Sequence, residues 1–153
     1  MRCALVLALG TGLLLVAGPN VQAQSAAIAS AELAPGIQFE VTQLRRMQDK
    51  GVTELRFAVL NRSESDATLK ELGLAYHYNL QNIFLIDLGA KKQYDIGQAA
   101  KCLCSTFKDG DGGLVHAGER REFWAWYGLL PGSAKQVAIQ REGQSPLMNV
   151  PVG

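Results

Sequence analysis

Two cysteines separated by a single residue, Cys102 and Cys104, are the most reactive pair of side chains in this sequence. On a β-strand, residues i and i+2 point to the same face. At a rise of about 3.3 Å per residue, their Cα atoms lie about 6.6 Å apart, near the upper end of the disulfide range of about 4.4–6.8 Å. A bond therefore forms if the chain bends or bulges there. We predict a Cys102–Cys104 disulfide, and two alternatives stay open: reduced buried thiols, and a metal-binding or redox pair.

A metal centre at the cysteine pair would need further ligands. Soft thiolates suit Cu(I) or Zn(II), and the other soft or imidazole side chains in the mature sequence are His77, His116, Met47 and Met148. None of them stands at a recognisable ligand spacing from another. We therefore predict no metal site and no cofactor.

An aromatic run, Phe123 to Tyr127, contains both tryptophans of the sequence. Because successive strand residues alternate between faces, Trp124 and Trp126 must share the face opposite Phe123, Ala125 and Tyr127. Only one face can meet a core. The tryptophan face is therefore either covered by the segment 69–82 or left as an exposed aromatic patch, which commonly marks a partner surface. We take Trp124 and Trp126 as candidate partner-binding residues.

Catalytic motifs are lacking. The sequence contains no Gly-x-Ser-x-Gly elbow, no phosphate-binding glycine loop and no His-Glu-x-x-His pair, which are the spacings that position a nucleophile, a phosphate or a zinc ion. We predict that the protein is not an enzyme and assign no catalytic residue.

The first 23 residues predict a cleaved signal peptide. Arg2 gives a positive start, the segment 4–17 is apolar apart from one threonine, and Val21-Gln22-Ala23 fits the small-x-small cleavage rule. The apolar run has 14 residues, whereas a membrane-spanning helix needs about 20. We therefore expect an exported protein, periplasmic or extracellular, with no transmembrane segment in the mature chain.

The mature chain predicts one all-β domain. Residues 24–36 are rich in alanine and other small residues and end in Pro-Gly, so we expect a flexible lead-in. Over residues 37–153 the dominant apolar period is two, with turn signals at short intervals, which predicts an antiparallel immunoglobulin-like β-sandwich of about 7–8 strands. Loss of Arg2 with the leader leaves 14 basic against 14 acidic residues. This balance argues against nucleic acid as a partner, because nucleic acid requires a basic face.

The order of several short motifs resembles a group of poorly characterised exported bacterial immunoglobulin-like domains. The motifs are Phe84-Leu85-Ile86-Asp87, Lys92-Gln93-Tyr94, Cys102-Leu103-Cys104-Ser105, Phe123-Trp124-Ala125 and Val150-Pro151-Val152. The Cys-Leu-Cys-Ser string is the most specific of them. In such proteins the domain sometimes stands beside an outer-membrane-protein-A-like domain. The resemblance implies an envelope setting, and it brings no activity and no catalytic residue.

Together these features predict an exported, non-enzymatic β-sandwich that binds a cell-envelope protein or supports the envelope structurally. The alternative is a small extracytoplasmic metal-binding or thiol-redox protein that uses Cys102 and Cys104. The sequence indicates neither the identity of the partner nor the oligomeric state.

Overall fold

The computed structural model describes residues 26–108 and 111–153. The predicted signal peptide, residues 1–23, lies outside the described residues. The described chain contains one short 3-10 helix, Gln48–Lys50, and these strands: β1 Ala29–Ala34, β2 Ile37–Met47, β3 Val52–Asn61, β4 Ala67–Thr68, β5 Ala75–Tyr76, β6 Asn79–Leu80, β7 Ile83–Asp87, β8 Lys92–Tyr94, β9 Leu114–Val115, β10 Arg120–Gly128, β11 Gln136–Arg141 and β12 Leu147–Pro151.

The strands form an antiparallel β-sandwich, which confirms the fold class predicted from the sequence. The first sheet has the order β1-β2-β3-β10 and the second the order β12-β11-β7-β8. Two-residue strands make two small additional pairs, β4 with β9 and β5 with β6. The eight strands of the two main sheets match the predicted count, and the four short strands exceed it.

The core lies between the two main sheets, and the alternation of apolar residues explains why. Every second residue of β2, β3 and β10 is buried over much of each strand, because period-two strands present one face to the core. Three phenylalanines from neighbouring strands stack across this inner face. Their ring centroids are 4.7 Å apart for Phe39–Phe57 and 5.4 Å apart for Phe57–Phe123. The apolar residues that recur with a period of two thus form the inner face of the first sheet.

The segment expected to be a flexible lead-in differs from that expectation over Ala29–Ala34, which forms β1. Pro35 and Gly36 occupy the turn between β1 and β2, and Gly36 adopts a φ of 76°, which favours glycine. The Pro-Gly pair therefore folds the preceding residues back onto β2 as an edge strand. Ala29, Ala31 and Leu33 are more buried than the intervening Ser30 and Glu32, so the segment alternates as an edge strand paired with β2.

Candidate functional site

Strand β10 divides its aromatic residues between two faces, as the alternation predicts. Phe123, Ala125 and Tyr127 are buried in the core, whereas Trp124 is 36% exposed and Trp126 is partly exposed. The buried hydroxyl of Tyr127 donates a hydrogen bond of 3.1 Å to the carbonyl of Ile83 in the second sheet. The two tryptophans consequently lie on the outer face of the first sheet.

Cross-strand register places a compact group of side chains around the tryptophans. Residues paired across neighbouring strands form a row. One row contains Trp126, Glu54 and Arg45, and the next row contains Trp124 and Arg56. Directly paired residues share a face, so these side chains all point outward. We call Arg45, Lys50, Glu54, Arg56, Trp124 and Trp126 the tryptophan cluster.

Glu54 is the centre of the tryptophan cluster. Its carboxylate is 2.9 Å from Arg45 Nη2 and 3.2 Å from Arg56 Nε. The indole Nε1 of Trp126 donates a further hydrogen bond of 3.3 Å to it. Although Glu54 points to the outer face, it is only 4% exposed, because its donors cover it. The carboxylate thus fixes two guanidinium groups and one indole relative to each other.

The same contacts keep Glu54 ionised. Burial raises the pKa of this carboxyl, since it disfavours the charged form. The hydrogen bonds from Arg56, Trp126 and Arg45 outweigh burial, and the pKa of Glu54 is lowered. The cluster therefore holds one buried negative charge and three positive charges near neutral pH.

The remaining geometry of the cluster combines aromatic and cationic surface. Lys50 Nζ lies 4.9 Å from the ring centroid of Trp126, within cation–π range. The Trp124 and Trp126 ring centroids are 5.5 Å apart with the planes tilted by 52°. Three cations against Glu54 give the cluster a net charge of +2. Such a surface can bind a partner with apolar and acidic groups.

Cys102 and Cys104 form a disulfide with a Cα–Cα distance of 5.3 Å, which is shorter than the extended spacing and shows the bend that the bond requires. Cys102 is 8% exposed and Cys104 is 3% exposed. The two cysteines lie outside the twelve strands of the described chain. The structure has only isolated bridges there, which join Cys102 to Gln98 and Cys104 to Ala125.

The segment that contains the disulfide covers the free edge of β10. Backbone nitrogens of Gly97 and Ser105 donate to the carbonyls of Trp126 and Trp124, at 2.7 and 2.8 Å. In return, Trp126 N donates to the Leu103 carbonyl at 2.8 Å, and Trp124 N donates to Ser105 Oγ at 2.9 Å. Four backbone groups of β10 thus have hydrogen-bond partners. These bonds protect an edge strand that could otherwise pair with a strand of another molecule.

The structure does not bring the considered metal ligands to the cysteines. His116 Nδ1 is 3.0 Å from Asp66 Oδ2 on an exposed loop, and His77 lies in the turn between β5 and β6. Met47 is buried at the end of β2, whereas Met148 is exposed on β12. Within the two described ranges, no three His, Cys, Asp or Glu side chains are grouped closely enough to hold a metal ion.

Sequence reasoning missed four members of the cluster: Arg45, Lys50, Glu54 and Arg56. Alternation along β3 does place Glu54 and Arg56 on the face of the strand that points away from Leu55 and Phe57. Alternation says nothing, however, about which strands lie beside β3. The signal needed was the register of β3 against β2 and β10, which is a long-range property.

No protein-family model matches the chain, and neither a curated protein nor a solved structure matches it. The resemblance to exported immunoglobulin-like domains therefore stays a prediction from the quoted motifs. In residues 26–108 and 111–153, no helix is long and apolar enough to cross a membrane.

Proposed function

We propose that this protein is an exported, non-enzymatic β-sandwich of the cell envelope that binds a protein partner through the tryptophan cluster. The observation that carries the proposal is Glu54, a nearly buried carboxylate on the outer face of a sheet. It receives hydrogen bonds from two arginines and one tryptophan. The arrangement holds two guanidinium groups and an indole in fixed positions on the outer side of the sheet.

The composition of the cluster supports binding. Tryptophan and arginine are enriched among the residues that dominate the energy of protein interfaces. Long arginine side chains normally lose conformational freedom on binding, which costs about 0.5–1.5 kcal/mol each. Because Glu54 already holds Arg45 and Arg56, part of that cost is met before a partner arrives.

The envelope setting rests on the predicted leader and is supported by the disulfide. Disulfides form and persist in exported proteins, whereas thiols are kept reduced in the cytosol. The bond between Cys102 and Cys104 is consistent with export.

The test is capture of envelope proteins by the immobilised mature protein. We expect Trp124→Ala combined with Trp126→Ala to reduce recovery of a specific captured partner at least about tenfold, as expected when interface tryptophans are truncated. The matched control is Tyr76→Ala with Leu88→Ala, which removes two exposed apolar side chains elsewhere and should leave recovery unchanged. Unchanged recovery with the tryptophan variant, verified as folded by circular dichroism, would contradict the proposal.

A second candidate function is thiol–disulfide exchange at Cys102 and Cys104, favoured by the very small loop that the bond closes. Two electrons and two protons from a dithiol would convert the disulfide into two thiols, and the dithiol would become a disulfide. Thiol counting on the folded protein under a mild dithiol tests this candidate. A bond that remains closed under those conditions would eliminate it.

A further inference from the structure

The outer face of the first sheet divides into two halves of opposite charge. The half at the tryptophan cluster carries a net charge of +2. Beyond it, Glu40 and Glu122 flank Ala58 in one row, and Arg120 flanks Leu60 in the next. Glu32 of β1 lies beside this second row. The strand residues of this half, Glu32, Glu40, Glu122 and Arg120, have a net charge of −2. The loop residue Arg62, directly after β3, adds one positive charge at its rim.

The two halves are separately organised by ion pairs. In the acidic half, Arg120 Nε is 2.9 Å from Glu40 and its Nη1 is 2.8 Å from Glu122. Arg120 thus bridges two carboxylates, as Glu54 bridges two guanidinium groups in the basic half. The face is therefore a fixed pattern of basic and acidic ends, with Trp124 next to the boundary between them. The surface that complements this pattern must be acidic at one end and basic at the other.

We propose that this complementary surface is the same face of a second copy of the chain, so that the protein forms a symmetric dimer. The inference rests on the proposed function, because it names the partner of the tryptophan cluster. A two-fold axis parallel to the sheet, perpendicular to the strands and between the Arg56 and Ala58 rows places each basic half over the acidic half of the other copy. A two-fold interface uses one patch twice and must be self-complementary.

This arrangement gives specific side-chain encounters. Along β10, Trp126 faces Arg120 of the second copy. Trp124 faces Glu122 of the second copy. Arg56 faces Ala58 of the second copy, beside the acidic residues that flank it. Arg45 lies near Glu32 of the second copy, whereas Lys50, which lies over the Trp126 ring, is near Arg120 of the second copy.

The size of the face sets the strength of the dimer. Rows are about 6.8 Å apart and strands about 4.8 Å apart, so four rows across β2, β3 and β10, the strands that overlap in this arrangement, cover about 400 Å² on each copy. The total of about 800 Å² is below the range of stable specific complexes. We therefore expect a weak dimer whose electrostatic part is screened by salt.

Sedimentation velocity of the purified protein tests the dimer. We expect the weight-average sedimentation coefficient to rise over about 0.01–1 mM protein, the range of weak affinities. Raising salt from about 0.1 M to about 1 M, which shortens the Debye length from about 10 Å to about 3 Å, should weaken the dimer at least about threefold.

Two charge variants test the facing halves. Lys50→Glu changes the net charge of the basic half from +2 to 0, and Glu122→Lys changes the net charge of the strand residues of the acidic half from −2 to 0. Each variant alone should raise the dissociation constant at least about tenfold. An equimolar mixture should recover association, because the unaltered basic half of one variant meets the unaltered acidic half of the other. Leu88→Ala, far from the face in the β7–β8 turn, is the matched control.

A protein that stays monomeric at about 1 mM in low salt overturns the dimer. A dimer that neither charge variant weakens, or variants that do not recover association when mixed, overturn the arrangement of facing halves. If the protein is monomeric but envelope capture still requires the two tryptophans, the proposed function stands and the second copy is not the partner. If capture is also independent of the tryptophans, the proposed function fails as well.

Discussion

Reduction of the Cys102–Cys104 disulfide should cost little global stability and should loosen one edge of the first sheet. The bond closes a loop of only three residues, for which the chain-entropy relation gives about 1.6 kcal/mol. A domain of this size is typically stable by about 5–15 kcal/mol. We therefore expect the reduced protein to remain folded.

The effect on the edge segment should be detectable without unfolding of the sheets. The bond lies within the segment that satisfies four backbone groups of Trp124 and Trp126. Each such hydrogen bond contributes only about 1 kcal/mol net, so the segment can open without unfolding the sheets. Removing about 1.4–1.6 kcal/mol from the closed segment makes its open form about tenfold more populated.

Two measurements separate these effects. Urea unfolding with and without a dithiol should give free energies of unfolding that differ by about 1.6 kcal/mol or less. Amide hydrogen exchange, followed by NMR, should be about tenfold faster at Trp124 and Trp126 in the reduced protein. The amide of Phe57, which lies on a central strand, should be protected to the limit of global stability. Ser105→Ala is the matched variant, because it removes the acceptor of Trp124 N and leaves the disulfide intact.

Either of two outcomes would refute this reasoning. Unfolding on reduction would mean that the disulfide is essential to the fold rather than to the edge. Unchanged exchange at Trp124 and Trp126, with Phe57 also unchanged, would mean that the segment covers the edge without help from the bond.

Three further predictions concern buried and titrating groups. Arg141 is 1% exposed, and its Nε and Nη1 have no hydrogen-bond partner among the described residues; burial lowers its pKa. Urea unfolding should therefore show that Arg141→Met is neutral or stabilising, whereas Arg141→Ala should lose about 3 kcal/mol to the cavity; a loss of that size in Arg141→Met would be contrary. Tyr127→Phe should cost about 1–2 kcal/mol in the same assay, because the buried Ile83 carbonyl loses its donor; an unchanged midpoint would show that this bond contributes nothing. The hydrogen bond and charge of Asp66 raise the pKa of His116, so this contribution to stability is fully present below the unfolded pKa of about 6.5 and is lost as pH rises through the folded pKa. Thermal unfolding from about pH 5 to about pH 8 should show His116→Gln destabilised relative to the unaltered protein only at the acidic end, and a constant difference would contradict the assignment.

Local pattern was sufficient for the fold class and for part of the site. The period of two in β2, β3 and β10 predicted strands, and it separated Phe123 and Tyr127 from Trp124 and Trp126 correctly. This works because alternation is a property of each strand alone. It failed at Ala29–Ala34, where Ala29, Ala31 and Leu33 alternate with Ser30 and Glu32, because the apolar side chains are mostly small and the alternation was not recognised.

By itself, the sequence determined an all-β chain with two tryptophans on one face of a strand and two cysteines close enough to bond. Tertiary structure alone decided what surrounds them. The register of β3 and β10 brings Trp126 into one row with Arg45 and Glu54, although Trp126 is 72 residues from Glu54 in the chain. The fold also places the disulfide segment along the edge of β10. Both results depend on contacts between distant residues, which form only when the whole sheet pairs, so no local spacing could reveal them.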